Sequence, residues 1–498
     1  MSISRSRAVE ATIMNIVDPI LFQCRVNGEQ PAISAPGTKF DLVTYAELEY
    51  MINNLTRAVL SLGLQRGQIV GTLLQDKIFH VALLLALMRV GVVTVTCRSP
   101  SLPKEINATA VITDTPGQFA NVERVIRANP EWVRGSSEAV VDPRLDQTKP
   151  DDLCRIILTS GSTGIPKAIA FTHDMLIKKN ARLDYCQGPR WPWCSRLFCD
   201  LGLSTSQGFR YVLHMLSRGG LVMVYGEEAL ITLQSLNLFE MQNMATSPFG
   251  LAEYLKFFES EPSFHCNFDH ILVAGGMLTK SLAERAWARM CPNLISLYGA
   301  TEVGAIATAD ARVTTSVPGA VGNILPDAQA QIVDQSDVPL APGSEGIVRV
   351  RTDQGITGYY GDPENSSAKF RNGWFYPGDY GYIADQGLLV ITGRQETRLN
   401  LGGDKVNPET VEAVLATFPN VTDVAVLTVP NALGIEEIYA LIVSQSALDA
   451  DALRTYCQER LQRPFVPVRF IRADRIPRNE MGKIERGRLM EITKSKLN

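Results

Sequence analysis

Strand-like and helix-like patterns alternate through the first two-thirds of this 498-residue chain. Tyr45 to Leu62 carries apolar side chains at helical spacing, Ile69 to Leu74 reads as a strand, Phe79 to Val90 as a helix and Val92 to Cys97 as the next strand. Such repeats place consecutive strands parallel, because the crossover helix returns the chain to the same end of the sheet before the next strand begins. From Ala320 to Ile391 the spacing shortens: Gln329–Val333, Gly346–Val350, Gly381–Ile383 and Leu388–Ile391 are separated by Gly, Pro and Asp turns and predict a β-rich subdomain that closes the large unit. After Gly393-Arg394 comes a separate α+β pattern: a helix Pro408 to Phe418, strands Val421 to Val429 and Ile438 to Val443, a helix Asp449 to Leu461 and a strand Val468 to Ile471. The expected fold class is α/β, with a large N-terminal domain carrying a β-rich subdomain over residues 1–394 and a small, mobile C-terminal α+β domain over 395–498.

Lys plus Arg number 48 against 52 Asp plus Glu, a net charge of −4. The basic footprint of a nucleic-acid binder is missing, so no nucleic-acid partner is expected. The nine cysteines include no close CxxC pair, and the tightest cluster, Cys186, Cys194 and Cys199, lies among hydrophobic and aromatic neighbours. They read as reduced thiols of a cytoplasmic protein, not as a metal site. Glu10, Asn15 and Asp18 interrupt any export-type apolar run at the N-terminus. The most apolar stretch, Val81 to Met88, is bounded by His80 and Arg89 and is far short of the roughly 20 residues of a membrane span. It is expected as a core helix.

The strongest chemical signal is the run Thr159-Ser160-Gly161-Ser162-Thr163-Gly164-Ile165-Pro166-Lys167 after the apolar Ile156 to Leu158. Hydroxyls, bare backbone N–H groups and a lysine suit a polyphosphate, and glycine lets the backbone approach it closely. The spacing is not that of a P-loop, because Lys167 is neither preceded by glycine nor followed by Ser or Thr. A turn-rich surface loop shares this composition, so the reading needs company elsewhere in the chain.

That company identifies a resemblance to the adenylate-forming superfamily, which includes acyl- and aryl-CoA synthetases, luciferases and the adenylation domains of peptide synthetases. The loop resembles the family's TSGTTGxPK, with Ala168 where a glycine usually follows; Leu42 to Leu48 resembles its LTYxEL element, and Leu87 to Pro100 its LxxGxxxxPxxP region. Tyr298-Gly299-Ala300-Thr301-Glu302 is similar to YGxTE, in which an aromatic ring can stack on adenine, a threonine hydroxyl can bond a phosphate and a carboxylate can hold Mg²⁺. Gly373 to Gly381 is similar to GWFxTGDxG, with Pro377 in place of threonine, and Gly358-Tyr359-Tyr360, Pro363 and Phe370 fit the same block. The resemblance makes Asp379 a ribose clamp, Arg394 a ribose contact and Gly275 a further nucleotide-site residue. In Gly393 to Glu409 it places Glu396 at the interdomain hinge and Gly402-Gly403 at the thiol-binding turn, although Thr397 departs from the usual acid. Ile476 to Ile484 resembles LPRTxxGKIxR, which gives Lys483 the role of neutralising the α-phosphate as a carboxylate attacks.

The implied activity is ATP-dependent activation of a small carboxylic acid to an acyl-adenylate with release of pyrophosphate, with Lys483, Thr301 and Glu302 as catalytic residues and Mg²⁺ on Glu302. Transfer to a thiol follows, with CoA the expected acceptor and a phosphopantetheinyl carrier protein the alternative. A nucleotide-binding protein without catalysis is a different class, disfavoured because Lys483 and Glu302 are both present. The acid pocket implied by the resemblance draws on Phe198 to His214, on Ser247-Pro248-Phe249, on Ala274-Gly275-Gly276-Met277 and on Gly299-Ala300, with Thr205, Gln207, Gly208, Arg210, Ser247 and Gly276 as candidate lining. The family's aromatic-His-x-x-Gly pattern is replaced here by Ser204-Thr205-Ser206-Gln207-Gly208. So polar a segment favours a small or functionalised acid over a long alkyl chain. Arg210 reads either as a surface charge or as the partner of a second carboxylate.

Overall fold

The structure, a computed structural model, describes residues 15–97, 102–115, 119, 122–159, 166–186, 194–261, 264–395, 399–401, 404–406, 408–431, 436–444, 447–478 and 484–497. Among them, Arg124–Arg127, Ala110–Thr113, Ile69–Leu73, Val93–Thr96 and Leu153–Thr159 run parallel in a six-stranded sheet completed by Lys167–Thr172, which is antiparallel to Leu153–Thr159. A second sheet of 15 strands has a parallel half built from Pro31–Ser34, Leu221–Val224, Arg196–Cys199, Asn243–Thr246, His270–Ala274 and Leu294–Ala300. Beyond Leu294–Ala300 the pairing turns antiparallel, through Gly304–Asp310, Ala320–Ile324, Leu388–Arg394, Asp379–Ile383 and Gly346–Thr352.

The β-rich segment expected to close the large unit is continuous with the parallel sheet through its backbone hydrogen bonds. It keeps an apolar core of its own around Val303, Ile306, Leu325, Val348, Val350 and Leu389. Sequence periodicity reports which face of a strand is buried, not which strand lies beside it, so the short spacing showed the change of pattern but not the shared ladder.

Residues of both sheets and of the helices packed between them meet in the main core, among them Leu48, Leu83, Phe171, Leu197, Phe209 and Leu272. The helix Lys77–Arg89 is buried without a break from Ile78 to Met88, as a helix that is apolar all round must be. The helix Tyr45–Ser61 begins in a capping box: the Thr44 hydroxyl accepts from Glu47 N–H at 3.2 Å while Glu47 Oε2 accepts from Thr44 N–H at 2.7 Å. Tyr45 anchors the same end by donating its hydroxyl to the Gly220 carbonyl at 2.9 Å. Leu42 to Leu48 is therefore a short strand, Leu42–Thr44, running into a helix start at Tyr45.

Near the C-terminus, Val421–Pro430 and Glu436–Ser444 pair antiparallel and Arg469–Arg472 runs parallel to the latter, in a sheet separate from the two large ones. Val424 and Val426 join a core with Val411, Leu415 and Leu453, while Ala425 and Leu427 join another with Ile476 and Leu489. That is the two-residue alternation of a strand covered on both faces. No helix among the described residues is long and apolar enough to cross a membrane.

Candidate active site

The strand Leu153–Thr159 buries Ile156, Ile157 and Leu158 and ends on Thr159, whose register partner is Lys167 on the returning strand. The strands that flank the glycine- and hydroxyl-rich run thus pair antiparallel; Ser160, Gly161, Ser162, Thr163 and Gly164 lie outside the described residues. The Thr159 hydroxyl donates to the Lys167 carbonyl at 3.3 Å, and Lys167 Nζ stands 5.1 Å from the centroid of the Tyr359 ring, within reach of a cation–π contact. Tyr359 in turn donates its hydroxyl to Glu302 Oε1 at 2.9 Å. Glu302 is 9% exposed and follows half-buried Thr301 just past the strand Leu294–Ala300, where the large sheet changes from parallel to antiparallel pairing. In α/β sheets, crevices for ligands open at the carboxyl ends of strands where the strand order reverses.

Four residues before Glu302, Tyr298 donates its hydroxyl to Asp379 Oδ2 at 2.5 Å, and Arg394 Nε–H donates to Asp379 Oδ1 at 3.0 Å. Asp379 is 2% exposed and opens the strand Asp379–Ile383 in register with Arg394. Burial and the adjacent carboxylate hold the Tyr298 phenol protonated far above its ordinary range, and the same carboxylate raises the Arg394 guanidinium. A carboxylate has about four acceptor sites; these two bonds leave two for a further pair of donors. Gly299 and Ala300 lie between this cluster and Glu302, and Gly275 follows the strand His270–Ala274 at its carboxyl end.

Several residues expected to line an acid pocket also have local tasks. The Thr205 hydroxyl accepts from Gly208 N–H at 3.0 Å and donates to the Gly202 carbonyl at 2.8 Å, capping the helix Ser206–Ser217. Ser247 caps the helix Pro248–Ser260 by accepting from Gly250 N–H at 3.1 Å. Gly208 is required by close approach, since a Cβ there would lie 2.1 Å from the Leu201 carbonyl oxygen. Gln207 is half-buried and reaches the Tyr211 hydroxyl at 3.4 Å, and Gly276 packs beside Pro248. Arg210 is not the surface charge that was one of its two readings: it is 9% exposed and donates from Nη2 to the Lys179 carbonyl. The amphipathic helix Ser206–Ser217 turns this position inward, which helical spacing taken from the sequence did not reveal. Asp200 accepts from Tyr254 at 2.7 Å and from Thr246 at 2.9 Å, and burial pushes its carboxyl up to about 6 against those bonds.

Two buried cationic groups escaped the sequence reading. Arg155, fully buried on the hairpin strand, donates from Nη2 to Thr96 Oγ1 at 2.7 Å and to the Leu203 carbonyl at 3.1 Å, with its guanidinium 4.5 Å from the Phe209 ring centroid. It ties the phosphate-side strand to the acid-side segment. Burial and this neighbouring charge push His80 down to about 3, keeping it neutral. Lys179 and Arg182, three positions apart on the helix His173–Cys186, are also buried. The available signals were a lone arginine in an apolar strand and an i, i+3 basic pair on one helix face.

Glu396, Gly402, Gly403 and Lys483 lie outside the described residues. The flanks of the lysine segment are placed: Arg478 and Ile484 pair as an antiparallel bridge, and Arg486 donates to the Val426 carbonyl at 2.7 Å.

The family model described as AMP-binding enzyme matches residues 22–360, and that of the AMP-binding enzyme C-terminal domain matches residues 410–483. The chain belongs to the AMP-binding enzyme family. Among relatives of this AMP-binding enzyme, a 4-chlorobenzoate–CoA ligase of Arthrobacter sp. is 25% identical over 471 residues, covering 90% of each chain. A 2-succinylbenzoate–CoA ligase of Bacillus velezensis is 29% identical over 356 residues, 70% of each. In fold the AMP-binding enzyme is similar to the o-succinylbenzoate CoA synthetase of Bacillus subtilis solved with its acyl-adenylate intermediate, at a TM-score of 0.80 and 21% identity over 95% of this chain and 97% of that one. An amide bond synthetase from Marinactinospora thermotolerans has a TM-score of 0.77 and 22% identity, covering 95% of this chain and 100% of that one.

Proposed function

We propose that this AMP-binding enzyme is an AMP-forming acid–thiol ligase that activates a small carboxylic acid with ATP and passes the acyl group to CoA. In the first half-reaction a carboxylate oxygen attacks the α-phosphorus of ATP and the bond to the pyrophosphate leaving group breaks. In the second, a thiolate sulfur attacks the adenylate carbonyl and expels AMP. The observation that carries this reading is the linked pair of clusters at the strand ends: Lys167, Tyr359 and Glu302 on one side, Tyr298, Asp379 and Arg394 on the other. The first set suits a metal-bound polyphosphate, and the second leaves Asp379 two acceptor sites for the vicinal hydroxyls of a ribose.

Glu302 fits a hard cation, because Oε1 is oriented by Tyr359 and no described residue donates to its second oxygen. Mg²⁺ bound there neutralises charge on the triphosphate. Thr159 and Lys167, with Ser160 to Gly164 between them, hold the phosphates, and Thr301 and Lys483 bear on the transferring α-phosphate. Tyr298, Gly299, Ala300 and Gly275 line the adenosine site with Arg394. Residues 1–394 form the binding domain and 395–498 a lid that turns at Glu396, with Gly402-Gly403 receiving the thiol; in support, Leu388–Arg394 is the last strand of the large sheet in chain order. A cytoplasmic location is supported by the eight cysteines whose side chains are described, all buried and without a disulfide. The names of the aryl-CoA ligases it resembles point to an aryl or otherwise functionalised acid.

The test is product analysis with ATP, Mg²⁺ and a panel of short, aryl and dicarboxylic acids, with and without CoA. The proposal expects acid-dependent AMP and pyrophosphate, and a thioester only when CoA is present. Release of ADP and phosphate, or no nucleotide turnover with any acid, overturns it.

A further inference from the structure

Lys179 is 2% exposed, and its ammonium forms no hydrogen bond or ion pair with any described residue. Its nearest aromatic contact is the Phe171 ring, with the centroid 5.5 Å from Nζ. Two guanidinium groups crowd it. Arg182 is paired with both oxygens of Asp327 and donates to the Ala305 carbonyl at 2.8 Å; Arg210 donates to the carbonyl of Lys179 itself. Burial, then Arg210, then Arg182 drive the Lys179 ammonium well below its ordinary range, and only Glu302 opposes them. Asp327 is committed to Arg182, and Glu302 to Tyr359 and, in the reading above, to the metal. The cluster thus gathers more positive than negative charge in a place where an uncompensated charge is costly.

Gly304 lies directly against two of these cations, Lys179 and Arg182. Its φ of +81° is a conformation that favours glycine, and a Cβ there would lie 3.1 Å from Arg182 Nη1 and 3.9 Å from Lys179 Nζ. Gly304 opens the strand paired with Leu294–Ala300, in register with Ala300. The cations therefore stand beside the turn that carries Gly299, Ala300 and Glu302.

We infer that Lys179, set between Arg182 and Arg210 behind Gly304, is a subsite for a second anionic group on the substrate, so that the acid this enzyme activates is a dicarboxylate or a comparably anionic acid. The inference rests on the proposed function and deepens it by naming the substrate class. A buried ammonium takes a carboxylate through charge-assisted hydrogen bonds, and the incoming anion offsets the burial and the arginine fields that otherwise disfavour its charge.

The probes are shape-matched pairs: terephthalate against 4-methylbenzoate, and glutarate against pentanoate. Pyrophosphate release should favour the diacid of at least one pair by about 10- to 100-fold in kcat/KM, the range of a hydrogen bond to a charged group. Lys179→Met should abolish or reverse that preference while leaving the KM for ATP unchanged, and Lys179→Arg should restore part of it. A wild-type enzyme that favours the monoacid of both pairs overturns the inference while leaving the proposed function standing, and this outcome does not depend on any variant folding. A Lys179→Met enzyme that keeps the diacid preference, or that loses ATP affinity instead, overturns it as well. Absence of pyrophosphate release with every acid would count against the proposed function itself.

Discussion

Glu302 depends on a neighbour that the sequence places 57 residues away. The Tyr359 hydroxyl bonds Oε1 at 2.9 Å and leaves the other oxygen to meet a cation. A hydrogen bond to a charged group is worth about 1.5–3 kcal/mol, so Tyr359→Phe should raise the half-saturating Mg²⁺ concentration by about tenfold or more, with a smaller effect on the KM for the acid. A Mg²⁺ titration that overlays the parent's removes Tyr359 from metal positioning. Asp200 shows the opposite balance: burial lifts its carboxyl from an ordinary 3.8 to about 6, against the donation of Tyr254 and Thr246. Because the folded state holds this proton more tightly than the unfolded chain, the stability contribution is fully present below pH 3.8 and is lost as pH rises through about 6. Denaturant midpoints measured between pH 4 and 7 should therefore fall less steeply with pH in Asp200→Asn than in the parent. An identical slope in both proteins means that Asp200 does not carry the shift.

Among the elements, several stretches of sequence turn out to be devices of local structure. Thr44 and Glu47 close a capping box at the start of the helix Tyr45–Ser61, so Thr44→Ala should lower stability by about 1 kcal/mol and leave turnover of the folded enzyme unchanged. Thermal unfolding alongside steady-state rates checks this, and a loss of kcat without a loss of stability would assign the threonine to the site instead. Thr205 and Ser247 are caps in the same sense. Their polarity gave the acid segment its look of a polar pocket, yet their hydroxyls are already engaged by backbone. Beside Arg210, further inward-facing polar groups come from an element the sequence reading passed over, the helix His173–Cys186 with Lys179 and Arg182. A mostly polar helix reads as solvent-facing, and only tertiary packing decides which of its charges is covered.

Across the whole molecule, what was legible followed from patterns that are local in the chain. Parallel strands with crossover helices, the apolar core helix through Val81 to Met88 and the α+β pattern after Arg394 all report burial by their period, and the described elements lie within a few residues of those expectations. Pairings between distant segments were not legible. The Tyr359 link to Glu302 and the joint hold of Tyr298 and Arg394 on Asp379 join residues 15 to 81 positions apart, and neither these nor the continuity of the 15-stranded sheet is encoded by periodicity. The central claim is that one chain runs two separable half-reactions, adenylation and thiol transfer. It is tested most directly by measuring acid-dependent exchange of labelled pyrophosphate into ATP without any thiol, in the parent and in Lys483→Ala, beside thioester formation from supplied acyl-adenylate and CoA. The account predicts exchange in the parent, a loss of about 10²–10³ in the variant, as for a transition-state charge partner, and thioester formation retained in both. No exchange with any acid, or an equal fall of both half-reactions in Lys483→Ala, would contradict it.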